Sequence, residues 1–447
     1  DLLTLARQWL LGALCHLGAG AKTNAGYGAF KPTNNINEML CEKIGKTWDI
    51  ATNVPPESSR PLAEFKSTLE LVTPAFLAGA NQQAKDCDLR PATLRGLLRW
   101  WWRTMHAGFL EVETLRALEA AIWGDTHGGS AVRLTLQRAD VPRSIPIPVP
   151  GKCIEMNNEG KSVLRPDYNG FAYKHGLQRP APKTTQGVLY LSFGMNEMPT
   201  GKEYEHNQRY CLPPGAKWEI VMTARHALYR VPGAKPNDVL FCISAAHVLD
   251  QARAALCLLC QYGGIGSKGR KGFGSLSLKE PLSLGGIKNI ATRLRSGLMM
   301  GNPLFVSSLE SMISMDPTTI STPWKNYWFV LDQLGFSIQA FCQDKKRDCI
   351  KEALGLPRKI GKDEWLGKNH PYRKNRAEKD MRHASPVHFH INRNPDGTYS
   401  IQVIAFPSGV LPDEITSSNV LSSLIAHLKN DLVDRVNTHS KYGLKPV

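Results

Sequence analysis

The segment at residues 89–106 reads Leu-Arg-Pro-Ala-Thr-Leu-Arg-Gly-Leu-Leu-Arg-Trp-Trp-Trp-Arg-Thr-Met-His. Its apolar residues recur at helical spacing, and Pro91 suits the first position of a helix, where its missing N–H costs nothing. Arginines at i, i+4 and i+8 then form one ridge opposite the apolar face. The segment therefore predicts an amphipathic helix, from Arg90 to His106, with a ridge made of Arg95, Arg99 and Arg103.

The sequence around this helix alternates between strand-like and helical patterns. A strand is predicted before the helix, and a second helix and a second strand after it, at residues 64–72, 110–123 and 131–138. Beyond a Pro- and Gly-rich stretch, we expect two strands, a long buried helix and a last strand, at residues 187–193, 217–225, 239–262 and 273–278. The orders β-α-β and β-β-α-β, with few strands, predict an α+β fold made of one or two ferredoxin-like units with antiparallel sheets.

The C-terminal part is predicted to be mainly helical. Helices are expected at residues 303–315, 324–342, 346–354 and 420–436. A charged segment at 361–383 has few apolar residues and is predicted to be a long loop, followed by a hairpin at 386–392 and 399–406.

The N-terminal part has a different organisation. Residues 2–17 predict an amphipathic helix, which the glycines of residues 18–28 terminate before a short strand. A helix and one strand cannot bury their own apolar faces, so we expect the rest of this domain upstream, on another chain or in a removed segment. The chain begins with Asp1, which suggests a piece of a longer protein, and residues 31–61 have the composition of a linker.

The chain has 447 residues, enough for more than one domain, and 42% of them are hydrophobic. Lys and Arg number 55 against 39 Asp and Glu, which gives a net charge of +16. Such a positive field favours a polyanionic partner, with nucleic acid the best candidate and an anionic membrane surface the weaker one.

The sequence disfavours membrane-spanning, secreted, disulfide-bonded and zinc-binding proteins. No run of about 20 apolar residues could span a membrane, and the first residues lack the basic start and cleavage site of a signal peptide. Ten scattered cysteines in a chain of this size favour reduced thiols in a cytoplasm. Cys257 and Cys260 form a C-x-x-C inside an apolar run, without a second pair at zinc spacing, so we interpret them as core residues.

The arginine ridge is a candidate for RNA contact. Its guanidinium groups are about 6 Å apart along the helix, which matches successive phosphates of a single strand. Trp100 and Trp102 flank the ridge and could stack on bases. The alternative is a solvated arginine face with tryptophans in the core, and the absence of acidic residues in the segment favours RNA.

A second candidate is the glycine-rich segment Gly263-Gly-Ile-Gly-Ser-Lys-Gly-Arg-Lys-Gly-Phe-Gly274. Glycines permit left-handed conformations and close approach to a ligand, and three cations supply charge. The order helix, loop, strand is opposite to that of a nucleotide P-loop. A phosphate backbone is the predicted ligand, with a tight turn as the alternative; the candidate contacts here include Gly266, Lys268, Arg270, Lys271 and Gly272.

Four motifs in order carry a family resemblance: Thr73-Pro-Ala-Phe-Leu-Ala-Gly-Ala80, the arginine segment, the glycine-rich segment and His383-Ala-Ser-Pro-Val-His388. Together they resemble the RAMP-superfamily subunits of the Cmr complex, the type III-B CRISPR effector, and most of all its first-numbered subunit. Residues 13–30 resemble the end of the sixth-numbered subunit, which implies a fusion. The implied domains are a six-like fragment at 1–30, a linker at 31–61, a ferredoxin-like core at 62–282 and a helical and hairpin region at 283–447.

The resemblance implies a cytoplasmic, non-catalytic subunit with no cofactor, whose partners are crRNA, target RNA and other Cmr subunits. These subunits sit at the head of the complex and help to capture target RNA near the crRNA 3′ end. Carried over residue by residue, the resemblance marks as RNA contacts Lys22, Thr23, Arg90, Arg95, Arg99, Arg103, Lys268, Arg270 and Lys271.

Other functions remain open from the sequence. Asp86 and Asp88 could hold Mg²⁺ and cleave RNA as a metal-dependent endonuclease. His388 and His390 share one strand face and, with His383, could form a metal or catalytic cluster, although strand histidines are commoner. A pure assembly protein, whose basic surface contacts only other subunits, is the third class.

Overall fold

The computed structural model describes residues 10, 63–79, 84–146, 154–156, 162–164, 187–192, 195, 210–230, 232–233, 241–296, 298, 317–343, 358–359, 365–366, 385–406 and 418–441. Its helices are α1 Pro91–His106, α2 Val112–Trp123, α3 Gly187–Leu191, α4 Ala245–Tyr262, α5 Leu284–Arg295, α6 Tyr327–Gln343 and α7 Ser418–Lys441. Its strands are β1 Ala63–Leu71, β2 Val132–Asp140, β3 Ile145–Pro146, β4 Ile154–Met156, β5 Ser162–Leu164, β6 Tyr210–Cys211, β7 Lys217–Ala224, β8 Ala227–Tyr229, β9 Phe241–Ile243, β10 Leu276–Leu278, β11 Thr318–Ser321, β12 Arg358–Lys359, β13 Trp365–Leu366, β14 Val387–Arg393 and β15 Tyr399–Ala405.

The first unit is built on a four-stranded sheet. Its strand order is β10-β1-β7-β2, and every neighbouring pair is antiparallel. Helices α1 and α2 lie between β1 and β2 in the chain, and α4 lies between β7 and β10. Apart from α2, α3 and the short strands β3 to β6, β8 and β9, the elements of this unit follow the chain order β-α-β-β-α-β. The predicted α+β class with antiparallel sheets is confirmed.

Buried and more exposed residues alternate along β1 and β7, which explains why helices pack on only one face of the sheet. Leu69 and Leu71 of β1, and Trp218 and Ile220 of β7, are buried in one core with α1 and α4. The intervening residues, such as Glu219, face away from that core. One sheet face therefore packs on helices, as alternating strands of an antiparallel sheet allow.

Three described strands of the C-terminal part form a second sheet. Its order is β11-β15-β14, again with antiparallel neighbours, and α6 and α7 belong to its core. The chain order β11, α6, β14, β15, α7 follows the β-α-β-β-α order of the first unit. The predicted hairpin and terminal helix are confirmed at β14, β15 and α7.

Several predicted elements differ from the structure. The strand predicted at 187–193 is the helix α3, because a short apolar run fits a buried helix as well as a strand. Gly187 packs so closely on Asp332 and Gly335 of α6 that a side chain at Gly187 would collide with the Asp332 carbonyl. The predicted helix at 239–262 begins at Ala245, where Ser244 accepts a hydrogen bond from the His247 N–H at 3.3 Å; β9 precedes it.

Other expectations fall outside the described residues. They are the N-terminal helix at 2–17, apart from Leu10, the linker at 31–61, the helices at 303–315 and 346–354, and most of the loop at 361–383. Helix α5 was not predicted, and neither were the strands β3, β4, β5, β6, β8, β9, β11, β12 and β13; β13 lies within the loop predicted at 361–383. No helix among the described residues is long and apolar enough to cross a membrane.

Candidate RNA-binding surface

The arginine helix forms as predicted. Its apolar side is buried, including Leu94, Leu98, Trp101 and Met105. The arginines of the ridge lie on the other side and are partly exposed, 32% for the side chain of Arg99 and 41% for Arg103.

The arginines of the ridge have partners within the protein, which corrects the expectation that they lack an acidic one. Arg99 Nε lies 2.6 Å from Glu119 Oε1, and Arg103 Nη1 lies 2.7 Å from the same oxygen. Arg95 donates to the backbone carbonyl of Trp123 and, at 3.4 Å, to that of Val132. Burial, and secondarily the charge of Arg99, lower the pKa of Arg95 to about 10. The ridge therefore joins α1 to α2 and to the start of β2.

Trp102 does not fit the expected role of a stacking platform. Its side chain is 0% exposed and packs beside His106 in the core, with ring centroids 4.7 Å apart. Trp100 is partly buried and stacks on His388, with ring centroids 5.4 Å apart and planes at 21°. Both rings therefore have protein neighbours, and the core interpretation holds for Trp102.

The glycine-rich loop, residues 263–274, is held in place by the segment that follows β1. Thr73 Oγ1 donates to the Gly272 carbonyl at 2.7 Å and accepts from the Ser275 N–H at 2.9 Å. The Gly274 N–H donates to the Pro74 carbonyl, also at 2.9 Å. The first and third motifs of the resemblance are therefore one structural feature, in which the Thr-Pro segment fixes the loop.

The outer half of this loop is exposed. Gly266 has φ of 75°, and a Cβ there would stand 2.5 Å from the Phe76 carbonyl oxygen, so the position favours glycine. Ser267 pairs with Phe76 in an isolated bridge and is also exposed. Lys268 adopts the left-handed region, with φ of 64°. Gly266 and Ser267 therefore expose main chain and a hydroxyl group, next to the half-buried Lys268.

The inner half of the loop is docked on β14 instead. Arg270 Nη1 donates to the Ser385 carbonyl at 2.9 Å, and its guanidinium lies 5.6 Å from the Trp100 ring centroid. Lys271 forms a parallel bridge with Phe389. Burial lowers the pKa of Arg270. Arg270 therefore has a structural role in the join between the two sheets, and Gly272 is buried against Leu331 and Ile391.

Arg90 extends the exposed half of the loop towards the start of α1. Its guanidinium donates to the Asp86 carbonyl and lies against Gly79, three residues after Phe76. We define the loop surface as Gly79, Arg90, Gly266, Ser267 and Lys268, of which Gly266 and Ser267 are exposed and the other three are half-buried. Lys22 and Thr23, the remaining predicted contacts, lie outside the described residues.

The two carboxylates considered for metal-dependent cleavage line a cleft of about 390 Å³ beside Arg90, Arg138 and Trp218. Asp88 accepts a hydrogen bond from Trp218 Nε1 at 3.1 Å and pairs with Arg138 Nε at 3.1 Å. The two carboxylate oxygens of Asp88 therefore already have partners on β7 and β2. Within the described part of the chain, no group of three His, Cys, Asp or Glu side chains could hold a metal ion.

The strand histidines are buried in the join between the two sheets. His390 Nδ1 lies 2.6 Å from the Gly263 carbonyl oxygen, and burial lowers the pKa of His390 to about 4. Burial, with the nearby charge of Arg270, lowers the pKa of His388 well below its usual value. Both histidines are neutral at pH 7 and pack as core groups; His383 lies outside the described residues.

The C-x-x-C motif is also part of the core. Cys257 and Cys260 are buried within α4. Burial raises the pKa of the Cys260 thiol well above its usual value, which disfavours the thiolate that zinc or redox chemistry needs. Their interpretation as core-helix cysteines is therefore consistent with the structure.

Glu119 is the residue that the sequence analysis missed at this site. It lies on α2, outside the segment that contains the ridge, so a search of that segment for acids could not find it. The sequence signal for Glu119 is an acidic residue on the apolar side of the next predicted helix. Its side chain is 9% exposed, and it stands between Leu118 and Ala120.

Part of the chain is similar to a known protein family. Residues 68–277 match the model of the RAMP superfamily. The CRISPR system Cmr subunit Cmr1-2 of Pyrococcus furiosus is 32% identical over 77 residues, which are 17% of this chain and 40% of that protein. The match therefore spans less than half of the length of that relative.

Two solved structures are also similar. Cmr1 from Pyrococcus furiosus in its apo form is 16% identical, with a TM-score of 0.49, over 83% of this chain and 97% of that one. A chain of the Type III-B Cmr-beta complex bound to cognate target RNA is 14% identical, with a TM-score of 0.48, over 83% and 100%. From the family match and the Cmr relative, residues 68–277 are similar to the RAMP superfamily, and the chain resembles the first-numbered subunit of the Cmr complex.

Proposed function

We propose that the chain is a non-catalytic RNA-binding subunit of a type III-B Cmr complex. In this proposal it lies at the head of the complex, helps to capture target RNA near the crRNA 3′ end, and acts in the cytoplasm in antiviral defence. Its partners are crRNA, target RNA and other Cmr subunits. The observation that carries the proposal is the loop surface, with Gly266 and Ser267 exposed, within the part of the chain that matches the RAMP superfamily.

The loop surface has the chemistry to bind a phosphate backbone. Gly266 lets a strand approach the main chain closely, and Ser267 offers a hydroxyl donor. Lys268 and Arg90 supply positive charge on either side of the Phe76–Gly79 segment. Contacts of this kind fix the position of a strand without reading its bases, as a subunit that accepts any target sequence requires.

The arginine ridge supports this surface through its charge. Arg99 and Arg103 share one carboxylate, that of Glu119, so the three side chains together keep a net charge of +1. Arg95 adds a further cation. We propose that these groups attract RNA to the first unit and that the loop surface makes the close contacts, because Gly266 and Ser267 of the loop are exposed.

We also propose the domain division that the resemblance implies. In it, residues 1–30 are a six-like fragment that contributes Lys22 and Thr23 to the RNA path, residues 31–61 connect it, residues 62–282 are the first RAMP unit, and residues 283–447 are the C-terminal region. The similar order of elements in the two described sheets makes the last region a candidate second unit.

The test is reconstitution of a Cmr complex with crRNA, with and without this chain, followed by measurement of the dissociation constant for labelled target RNA. We expect omission of the chain, or Lys268→Glu in it, to weaken target binding at least about 10-fold while cleavage of RNA already bound is unchanged. Lys288→Glu, on the exposed side of α5, is the control with the same charge change. Equal target affinity with and without the chain would refute the proposal.

A further inference from the structure

The cleft beside the start of α1 contains a carboxylate oxygen that lacks a hydrogen-bond donor. Asp86 lines this cleft and is half-buried. Its Oδ2 atom is buried, and no group in the part of the chain that the structure describes donates a hydrogen bond to it. A buried acceptor without a donor lowers the stability of a protein. A ligand that supplies a donor here would therefore gain the hydrogen bond that Asp86 lacks.

The second carboxylate of the cleft is already engaged within the protein. Asp88 Oδ1 accepts from the Leu89 N–H at 2.8 Å and from Trp218 Nε1 at 3.1 Å. Its Oδ2 pairs with Arg138 Nε at 3.1 Å. Asp86, rather than Asp88, is therefore the acceptor that a ligand would engage.

Two arginines and an apolar wall complete the cleft. Arg90 donates to the backbone carbonyl of Asp86, so the cleft and the loop surface meet at these two residues. The Arg138 side chain is 60% exposed, and a guanidinium that pairs with a carboxylate through Nε has further N–H donors. Apolar side chains also line the cleft, namely Leu89, Pro91 and Leu136. The cleft can thus contact phosphate oxygens and the carbon atoms of a sugar together.

The chemistry of an RNA strand identifies the donor that fits Asp86. A carboxylate accepts hydrogen bonds and cannot donate them, so its ligand must donate. The phosphate oxygens of a strand only accept, and the donors of the bases differ from one base to the next. The 2′-hydroxyl is the donor that every nucleotide within an RNA strand carries, and DNA lacks it.

We propose that the cleft is a ribose site, in which a 2′-hydroxyl of the RNA donates to Asp86 while Arg90 and Arg138 bind the flanking phosphates. The χ2 torsion of an aspartate is broad, so the half-buried carboxylate turns an oxygen towards the hydroxyl at little cost. This inference rests on the proposed RNA-binding function and deepens it: the chain selects RNA over DNA at this cleft, whatever the base sequence.

The arginines are the reason for choosing a ribose over a cationic ligand. A Lys or Arg of a neighbouring protein could also donate to Asp86, and a metal ion could bind it. Either would bring positive charge into a cleft that Arg90 and Arg138 already line, and like charges repel. A ribose supplies a neutral donor, and the phosphates on both sides of it attract the arginines.

The experiment compares two fluorescein-labelled ligands, oligouridine and its 2′-fluoro analogue, by fluorescence anisotropy with the full chain. The fluorine keeps the sugar pucker of RNA but cannot donate a hydrogen bond. We expect the wild type to prefer the hydroxyl strand, and Asp86→Ala to lower the ratio of the two affinities about 10-fold, as loss of one hydrogen bond to a charged group does. A general effect on folding or charge would change both affinities and leave their ratio unaltered.

Two further variants control for shape and charge. Asp86→Asn keeps the shape of the side chain and a neutral acceptor, so the ratio should fall less than in Asp86→Ala. Asp250→Asn removes the same charge from a half-buried aspartate of α4 that pairs with Arg293, and should leave the ratio unchanged.

The outcomes separate the ribose site from the proposed function. An equal ratio in the wild type and Asp86→Ala, while Lys268→Glu still weakens binding of both strands, overturns the ribose site alone. A wild-type ratio that disappears when EDTA removes Mg²⁺ assigns Asp86 to a metal ion and overturns it too. Loss of a Cmr subunit from the reconstituted Asp86→Ala complex, with an unchanged ratio, assigns the cleft to a protein and likewise overturns it. No binding of oligouridine by the wild-type chain refutes the proposed function itself, and the ribose site with it.

Discussion

Glu119 accepts from Arg99 Nε at 2.6 Å and so ties the second helix of the first unit to the arginine helix. The same oxygen accepts from Arg103 at 2.7 Å. One nearly buried carboxylate thus fixes two turns of the ridge, and its loss would leave both guanidinium groups without this partner.

We expect Glu119→Gln to lower the free energy of unfolding by about 1–3 kcal/mol, because it removes the charge from two hydrogen bonds at a site of low exposure. Urea unfolding measures this. Glu113→Gln changes the same residue type at an exposed position of the same helix and should shift the free energy by less than about 0.5 kcal/mol. Equal stability of the two variants would contradict the structural role of Glu119.

Thr73 is predicted to control the order of the glycine-rich loop. Thr73→Val removes the hydroxyl that bonds to Gly272 and Ser275 in a buried site, and should cost about 1–3 kcal/mol and loosen the loop. Hydrogen exchange of residues 263–274 should rise, and RNA affinity should fall with it. Thr73→Ser keeps the hydroxyl and serves as the control; a loop that exchanges equally in both variants would argue against this role.

Stability should fall as the pH is lowered from about 6.5 to 4. Burial lowers the pKa of His390 to about 4 in the folded protein, so over this range the unfolded chain binds more protons than the folded one. The stabilisation present above pH 6.5 is lost as the histidine must protonate on unfolding, by up to about 3 kcal/mol from His390 alone. His390→Asn should flatten the profile measured by urea unfolding at several pH values. An unchanged slope in the variant would exclude His390 as its source.

Asp86→Ala with Asp88→Ala should leave target cleavage by the assembled complex intact. Asp88 holds Trp218 and Arg138, so the double variant should lose about 1 kcal/mol of stability without loss of cutting. The measurement is the cleavage rate of labelled target RNA at saturating complex. Loss of cutting, with target binding retained, would favour the endonuclease interpretation.

The sequence predicted the arginine helix and the C-terminal hairpin because each has a regular apolar period that tertiary contacts did not override. It did not predict α3, since the short apolar run at residues 187–193 fits a strand as well as a buried helix. It also could not reveal the pairing with Glu119 or the burial of Trp102. Both depend on how α1 packs against its neighbours, which lie far from it in the chain.

The exposure of the glycine-rich loop was likewise not predictable from its sequence. Its composition predicted a phosphate-binding loop, but six glycines could not indicate which half would be exposed. The structure divides it: Gly266 and Ser267 are exposed, whereas Arg270 contacts Ser385 and Trp100.

The most direct test is ultraviolet crosslinking of the full chain to 4-thiouridine-substituted RNA, alone and within a reconstituted Cmr complex, with the crosslinked residues located by mass spectrometry. We predict crosslinked peptides that contain Arg90 or residues 266–268. RNA that is bound by the complex yet never crosslinks at either position, in both settings, would contradict the view that this exposed stretch of backbone grips the strand.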